Sequence, residues 1–137
     1  MIQGYLIGPR RRPVVYGHFR FPALNNISLD VELLVDTGAD RTMLSPQDAE
    51  SIGIDITSLP LGAPGLGVGG QAPTRVIEAV LTIENFSTTL ILPIPETPHP
   101  IPSLLGRDVL SHFALFMQER TQRVLLLEPL EADALHL

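Results

Sequence analysis

The chain has 137 residues, of which 45% are hydrophobic, and a formal net charge of −6, so it has enough apolar material for one folded domain and is not disordered throughout. Cysteine is absent, which excludes disulfides, thiolate metal sites and a cysteine nucleophile. The acidic balance argues against a nucleic-acid partner, and no apolar run reaches the roughly 20 residues of a membrane helix. Residues 1–7 lack the features of a signal peptide, so we expect a soluble cytoplasmic protein without a membrane partner.

Alternating apolar and polar residues predict a mainly β fold. Residues 13–35 are predicted to form a hairpin, with turn chemistry at residues 22–26 and an alternating strand at 27–35. Ser45 followed by Pro46 resembles the start of a helix and predicts one over residues 46–52. The other predicted elements are strands at 77–83 and 88–94 around a turn at 84–87, a helical turn within 108–113, and a strand pair at 113–118 and 124–128.

Two segments fall outside this regular pattern. The proline-rich residues 93–102 are predicted to be an irregular, polyproline-like connector. Residues 129–137 form a tail that is either a short amphipathic helix or disordered. Together these elements predict one domain, residues 1–137, with a core at about residues 13–128. We expect a small, closed, β-barrel-like architecture with one or two short helices.

Three motifs carry the candidate chemistry. The apolar residues 33–35 run directly into Asp36-Thr37-Gly38-Ala39-Asp40, which alone is also typical of an ordinary Asx turn at a strand end. A second motif, Leu104-Leu105-Gly106-Arg107-Asp108, precedes a predicted helical turn. Between them lies Gly65-Leu66-Gly67-Val68-Gly69-Gly70, which lacks the Lys-Ser/Thr of a phosphate loop and suits a hairpin tip.

In this order the three motifs resemble those of the retropepsin-like aspartic proteases, over roughly residues 13–128. The resemblance implies an acid-protease fold without a cofactor or metal. Asp36, Thr37 and Gly38 then correspond to the catalytic triplet, and Asp40 is expected to form an ion pair with Arg107. The implied substrate-binding residues are Ala39, Asp40 and the flap residues Leu66, Gly67, Val68, Gly69 and Gly70, and the implied structural support comes from Leu104, Leu105, Gly106 and Arg107.

The resemblance also implies a mechanism and a partner. Aspartic proteases use two carboxylates that share one proton, one activating a water and the other donating to the scissile carbonyl. This chain carries a single Asp-Thr-Gly triplet, so an aspartic endopeptidase built from it is a homodimer in which Asp36 of each copy contributes one carboxylate. The substrate is a peptide or protein, with Leu34, Ala39, Leu66, Val68 and residues 92–102 as candidate pocket walls for middle-sized apolar side chains.

Other functions remain open. The main alternative is a non-catalytic dimerisation or peptide-binding module that retains the acid-protease fold. A metal-dependent hydrolase is less favoured, because the four histidines show no ligand spacing and no phosphate loop accompanies Asp36, Asp40 and Asp108. Retroviral enzymes dimerise partly through interleaved chain termini. Here Pro129 cannot donate a ladder hydrogen bond, which indicates a dimer contact that is built differently or is weak.

Overall fold

The structure is a computed structural model that describes residues 1–62 and 73–136. This part of the chain is mainly β, with a few short helices. The strands are β1 (Ile2–Ile7), β2 (Arg12–Phe21), β3 (Ile27–Val35), β4 (Thr74–Ile83), β5 (Phe86–Pro95), β6 (Ser103–Leu105), β7 (Ala114–Gln118) and β8 (Arg123–Leu127). The α-helices are α1 (Pro46–Ser51), α2 (Arg107–Leu110) and α3 (Pro129–Ala134), and 3-10 turns lie at Pro22–Leu24 and Ile56–Ser58.

The described strands form one open sheet in the order β5-β4-β2-β1-β8-β7. Off this path, β3 pairs antiparallel with β2 and parallel with β6. The expectation of a closed, barrel-like architecture is therefore not confirmed for the described strands: β5 and β7 lie at opposite ends of the hydrogen-bonded order and do not pair with each other. Prolines at positions 93 and 95 also deprive β5 of two backbone donors that a closing strand would need.

The predicted β2–β3 hairpin is present, and it supplies much of the core. Its turn contains Asn25 and Asn26, both with φ of 57°, a left-handed conformation that asparagine tolerates better than most residues. Along β2 the inward face carries Phe19 and Phe21, which are fully buried together with Leu33 of β3. Burial of one face of each strand fixes the register, because a slip by one residue would expose that face.

The structure corrects the prediction that all of residues 93–102 form an irregular connector. Pro93, Ile94 and Pro95 continue β5 and pair with residues of β4, so the irregular segment is shorter than residues 93–102. Proline is tolerated here because β5 is the last strand of the sheet order, where an N–H directed away from β4 has no ladder partner to lose. The strand candidates on either side of residues 84–85 also extend further than the alternation alone indicates.

Both chain ends are ordered beyond the predicted core. β1 was not predicted, and it pairs with both β2 and β8. The tail forms α3, whose capping box joins Glu128 and Glu131 and whose Ala132 packs into a small cluster with Leu125 and Leu127. A hydrogen bond to the Met1 amine lowers the pKa of Glu131. None of the helices within residues 1–62 and 73–136 is long and apolar enough to cross a membrane.

Candidate active site

Asp36 lies directly after β3, half-buried, where the chain turns away from the sheet. Its backbone N–H donates to Leu105 O at 3.0 Å, and its Oδ1 accepts from Gly38 N at 2.9 Å. The Ala39 N–H donates to Asp36 O at 3.2 Å and so closes the turn. The Asx turn expected for a simple strand end is thus present. It also fixes the Asp36 carboxylate next to the exposed residues Thr37 and Gly38.

The motif at residues 104–108 holds this loop from beneath. β6 pairs in parallel with β3, so that Leu34 lies opposite Leu104 and Val35 opposite Leu105. On its other side β6 bonds to the chain that leaves the loop, because Leu104 and Met43 exchange two backbone hydrogen bonds of 2.9 and 3.0 Å. The strand that enters the loop and the segment that leaves it are therefore both fastened to β6.

Gly106 is required by the close approach of the two motifs. A Cβ atom built on Gly106 would lie 2.5 Å from Arg41 O and 2.8 Å from Thr42 N, closer than real Cβ contacts. The Gly106 N–H also donates to Thr42 Oγ1 at 3.1 Å. A side chain at this position would push α2 away from the active-site loop.

A buried polar network that was not predicted lies behind the loop. Asp108 Oδ1 accepts from Thr42 N at 2.9 Å, from Thr42 Oγ1 at 2.8 Å and from Val109 N at 2.9 Å. Thr42 is only 1% exposed, so its polar atoms depend on these protein partners. The available signal was a hydroxyl residue two positions after Asp40, but spacing alone does not reveal a partner 66 residues away.

The Asp108 network gives a stability prediction. Replacing Asp108 with alanine is expected to cost about 3 kcal/mol of unfolding free energy, because the buried Thr42 N–H and hydroxyl lose their acceptor. Asp108→Asn keeps one acceptor oxygen and is expected to lose less than half as much. Urea unfolding followed by circular dichroism measures both, with Asp133→Ala on the exposed surface as the control. An Asp108→Ala chain as stable as the control would contradict the role given to this network.

The predicted ion pair between Arg107 and Asp40 is present. Backbone bonds accompany it: Arg107 N donates to Ala39 O at 2.8 Å, and Asp108 N donates to Asp40 O at 3.2 Å. The two charged side chains are 61% and 80% exposed, so solvent screens their attraction. The backbone bonds and Gly106 packing, rather than the charges, therefore hold α2 against the loop.

Removing the Arg107 charge should accordingly have a small effect on folding. We expect Arg107→Met to change the unfolding free energy by less than about 0.5 kcal/mol, as exposed ion pairs do. Chemical denaturation at low and high salt measures this difference. A loss comparable to that of Asp108→Ala would show that the ion pair matters more than its exposure indicates.

Two buried serines have structural roles. Ser45 caps α1 as predicted, since its Oγ accepts from Asp48 N at 3.0 Å. The Ser103 hydroxyl donates to Asp48 Oδ2 at 2.6 Å and accepts from Ser45 N at 2.9 Å. These contacts join α1 to β6 and leave neither serine free to act as a nucleophile.

The structure brings most of the predicted site residues together and leaves others apart. Residues 36–40 meet residues 104–107, as described above. The predicted flap residues Leu66, Gly67, Val68, Gly69 and Gly70 lie outside the described residues. Of the predicted pocket walls, Leu92 and Ile94 are fully buried in the core instead. Among residues 1–62 and 73–136, no three acidic or histidine side chains are grouped so that they could hold a metal ion.

A cavity lies beside the end of β3, at Glu32 and Leu34. Its volume is about 140 Å³, and its apolar lining comes from Ile7, Val14, Leu34 and Pro102, with Arg12 and Glu32 completing the wall. Leu34, near the end of β3, is the lining residue closest in sequence to Asp36, which does not itself line the cavity.

Comparison with known proteins agrees with this geometry. Residues 23–109, which include both Asp36 and Gly106, match a family model described as aspartyl protease. The chain belongs to this family of aspartyl proteases. No curated protein sequence matches the chain.

Solved structures show the same fold. The chain is similar to a retropepsin-like aspartic protease from Rickettsia conorii, with 19% sequence identity, a TM-score of 0.61 and coverage of 90% of this chain and 87% of the other. It is also similar to the EIAV protease solved with an inhibitor, with 21% identity, a TM-score of 0.52 and coverage of 77% and 90%, respectively. At these identities the likeness establishes the fold.

Proposed function

We propose that this protein is a homodimeric aspartic endopeptidase whose active centre combines Asp36 from two copies. The observation that carries the proposal is the single Asp36-Thr37-Gly38 loop, which the Gly106 motif holds in a fixed and exposed position. One chain supplies one such carboxylate, and acid-protease chemistry needs two that share a proton. A second copy related by a twofold axis supplies the other.

The proposed reaction is peptide hydrolysis by an activated water. One Asp36 carboxylate accepts a proton from the water as its oxygen attacks the scissile carbonyl carbon. The other Asp36, protonated, donates to the carbonyl oxygen to give a tetrahedral diol. Breakdown of the diol returns a proton to the amide nitrogen, the C–N bond breaks, and the products are a carboxylic acid and an amine.

The neighbouring residues have proposed roles that the resemblance to the retropepsin-like proteases implies. The exposed Thr37 hydroxyl is available to bind the loop of the second copy, and Gly38 leaves room for a substrate backbone above the carboxylates. Ala39 keeps the floor of the cleft small, and Asp40 accepts hydrogen bonds from substrate amides. Residues 66–70 are proposed to close over the bound peptide and exclude water.

The proposal is tested by assaying cleavage of a denatured protein at mildly acidic pH. We expect activity that a statine-type transition-state mimic blocks and that a chelator leaves unchanged. Activity per chain should rise with protein concentration through the dissociation constant of the dimer. Peptide binding without cleavage in every condition would favour the non-catalytic module, and loss of activity with a chelator would favour a metal-dependent hydrolase.

The cavity beside Leu34 predicts a preference for side-chain size at the cut. Its volume of about 140 Å³ and its apolar lining suit leucine or methionine better than tryptophan. Leu34→Phe fills part of this space and is expected to lower kcat/KM for leucine-containing peptides about tenfold while sparing alanine-containing ones, in line with the modest discrimination of apolar pockets. A peptide series varied only next to the cut measures this, and an unchanged ranking would place the pocket elsewhere.

A further inference from the structure

We propose that the turn between β1 and β2 binds acidic residues of the peptide substrate and so selects peptides with aspartate or glutamate on the flanks of the cut. This arginine turn consists of Arg10, Arg11 and Arg12. The inference rests on the proposed function and names the class of peptide that the same site takes. It is carried by the charge of the arginine turn, by its backbone conformation and by its position relative to Asp36.

The arginine turn concentrates positive charge in an acidic protein. The chain has nine basic residues against fifteen acidic ones, and three of the nine are consecutive here. All three are exposed. In the part of the chain that the structure describes, none of the three forms an ion pair, whereas Arg75 and Arg107 each pair with a carboxylate. The arginine turn is therefore free to bind a negative group from outside the chain.

The backbone of the turn does not itself favour arginine. Arg11 N donates to Gly8 O at 3.1 Å, which closes a four-residue turn. Arg11 has a φ of 50°, in the left-handed region where glycine and asparagine are more common. Adjacent like charges also repel one another. Closing the turn alone does not require these residues, so we infer that the strained and charged sequence serves binding.

The strand register places the arginine turn at the level of the catalytic loop. Val14 of β2 lies opposite Leu34 of β3, at one end of this antiparallel ladder. Two residues further along each strand, Arg12 falls level with Asp36. Arg12 also shares the wall of the cavity of about 140 Å³ with Leu34. The arginine turn thus lies at the edge of the proposed cleft, with Arg10 and Arg11 at its tip.

The chemistry of the turn specifies carboxylates. A guanidinium group binds a carboxylate through two parallel N–H donors, and it stays charged at every pH at which the protein is folded. An extended peptide presents its residues at intervals of about 3.3 Å, so its acidic residues reach the tip of the turn only at a distance from the cut. The twofold symmetry of the proposed dimer supplies one arginine turn for each flank of the peptide.

Other polyanions fit the arginine turn less well than a short acidic segment does. Nucleic acids and anionic membranes are attracted by broad basic surfaces. Here the basic surface is one turn, Glu32 completes the wall of the neighbouring cavity, and the formal net charge is −6. The favoured substrate therefore has a middle-sized apolar residue at the cut and acidic residues on its flanks.

The test compares two fluorogenic peptides that share one leucine-containing core and carry three glutamates or three glutamines at each end. At about pH 6, where glutamate is ionised, and at low salt, we expect kcat/KM to be about tenfold higher for the glutamate peptide. The difference should lie in KM, because the flanks bind alike in the ground state and the transition state. It should fall below about twofold at about 0.5 M salt, which screens exposed charges.

Variants assign this preference to the turn. An Arg10→Gln/Arg11→Gln chain should cleave both peptides alike and should cleave the glutamine peptide as the wild type does. An Arg20→Gln/Arg120→Gln chain loses two exposed charges elsewhere and should keep the preference. Arg10→Glu/Arg11→Glu should favour a lysine-flanked peptide instead. A preference that survives in Arg10→Gln/Arg11→Gln, or that disappears equally in the control, would overturn the proposal.

A binding measurement separates this inference from the proposed function. Fluorescence anisotropy of a labelled glutamate peptide is measured with the Asp36→Asn chain, with and without Arg10→Gln/Arg11→Gln, and circular dichroism confirms that each chain is folded. We expect the Kd to be about tenfold higher when the two arginines are absent. Tighter binding of a thymidine oligonucleotide or of phosphatidylserine vesicles than of the glutamate peptide would overturn the peptide as the ligand.

The two possible failures look different. If the wild type cleaves both peptides alike and the Kd does not depend on Arg10 and Arg11, the inference fails while the proposed function stands. If the Kd depends on these arginines but no form of the protein cleaves any peptide, the arginine turn stands as a binding site and the proposed function fails.

Discussion

Asp36→Asn is expected to lower kcat/KM for peptide hydrolysis by at least about 10³-fold, because it removes the group proposed to act as general base and acid in both halves of the centre. In the proposed homodimer both Asp36 carboxylates change at once, so neither copy keeps the proposed catalytic group. Hydrolysis of a fluorogenic peptide at mildly acidic pH measures the effect.

The same substitution should leave the fold intact, which makes the result specific. Asparagine has a side-chain oxygen that accepts from Gly38 N as Asp36 Oδ1 does at 2.9 Å. We therefore expect a change in unfolding free energy of no more than about 0.5 kcal/mol, because the substitution keeps the size of the side chain and this hydrogen bond. Full activity in a folded Asp36→Asn chain would refute the protease function.

Gly106→Ala is expected to destabilise the protein by about 3 kcal/mol or more, at the upper end of the cost of overpacking a tight site. Its Cβ would lie 2.5 Å from Arg41 O, and neither of the two backbone segments can move without breaking bonds to β6 or α2. The active-site loop should shift as well, so activity should fall even at temperatures where the chain stays folded.

A matched glycine isolates the steric effect. Gly53 has a φ of 82° and no atom within 4 Å of an added Cβ, so Gly53→Ala is expected to cost only the strain of a left-handed residue, about 1 kcal/mol. Thermal unfolding of both variants makes the comparison. Equal losses of unfolding free energy in the two variants would mean that Arg41 lies further from Gly106 than the structure shows.

The sequence predicted the elements that carry a strong local signal. The β2–β3 hairpin follows from alternation and from Asn25 and Asn26 in the turn, and α1 follows from the Ser45 cap and Pro46. The Asp40–Arg107 ion pair came from a resemblance to a known family, because no local rule relates residues 67 positions apart. The family assignment rests on the same motifs.

Other features depend on contacts that only the fold supplies. β1 lacks a clear alternation and forms because β2 and β8 both offer an edge. The proline-rich end of β5 is a strand because its outer side needs no donor. The Thr42–Asp108 network joins two loops that are distant in sequence, and the open sheet depends on which strands end up at its edges.

The most direct test of the account is a crystal structure of the protein with a statine-type peptide, in which the separation of the two Asp36 carboxylates is measured. The account predicts two copies related by a twofold axis, with these carboxylates about 3 Å apart on either side of the inhibitor hydroxyl. An inhibitor bound to one isolated chain, or a dimer that holds the two Asp36 side chains on opposite outer surfaces, would contradict it.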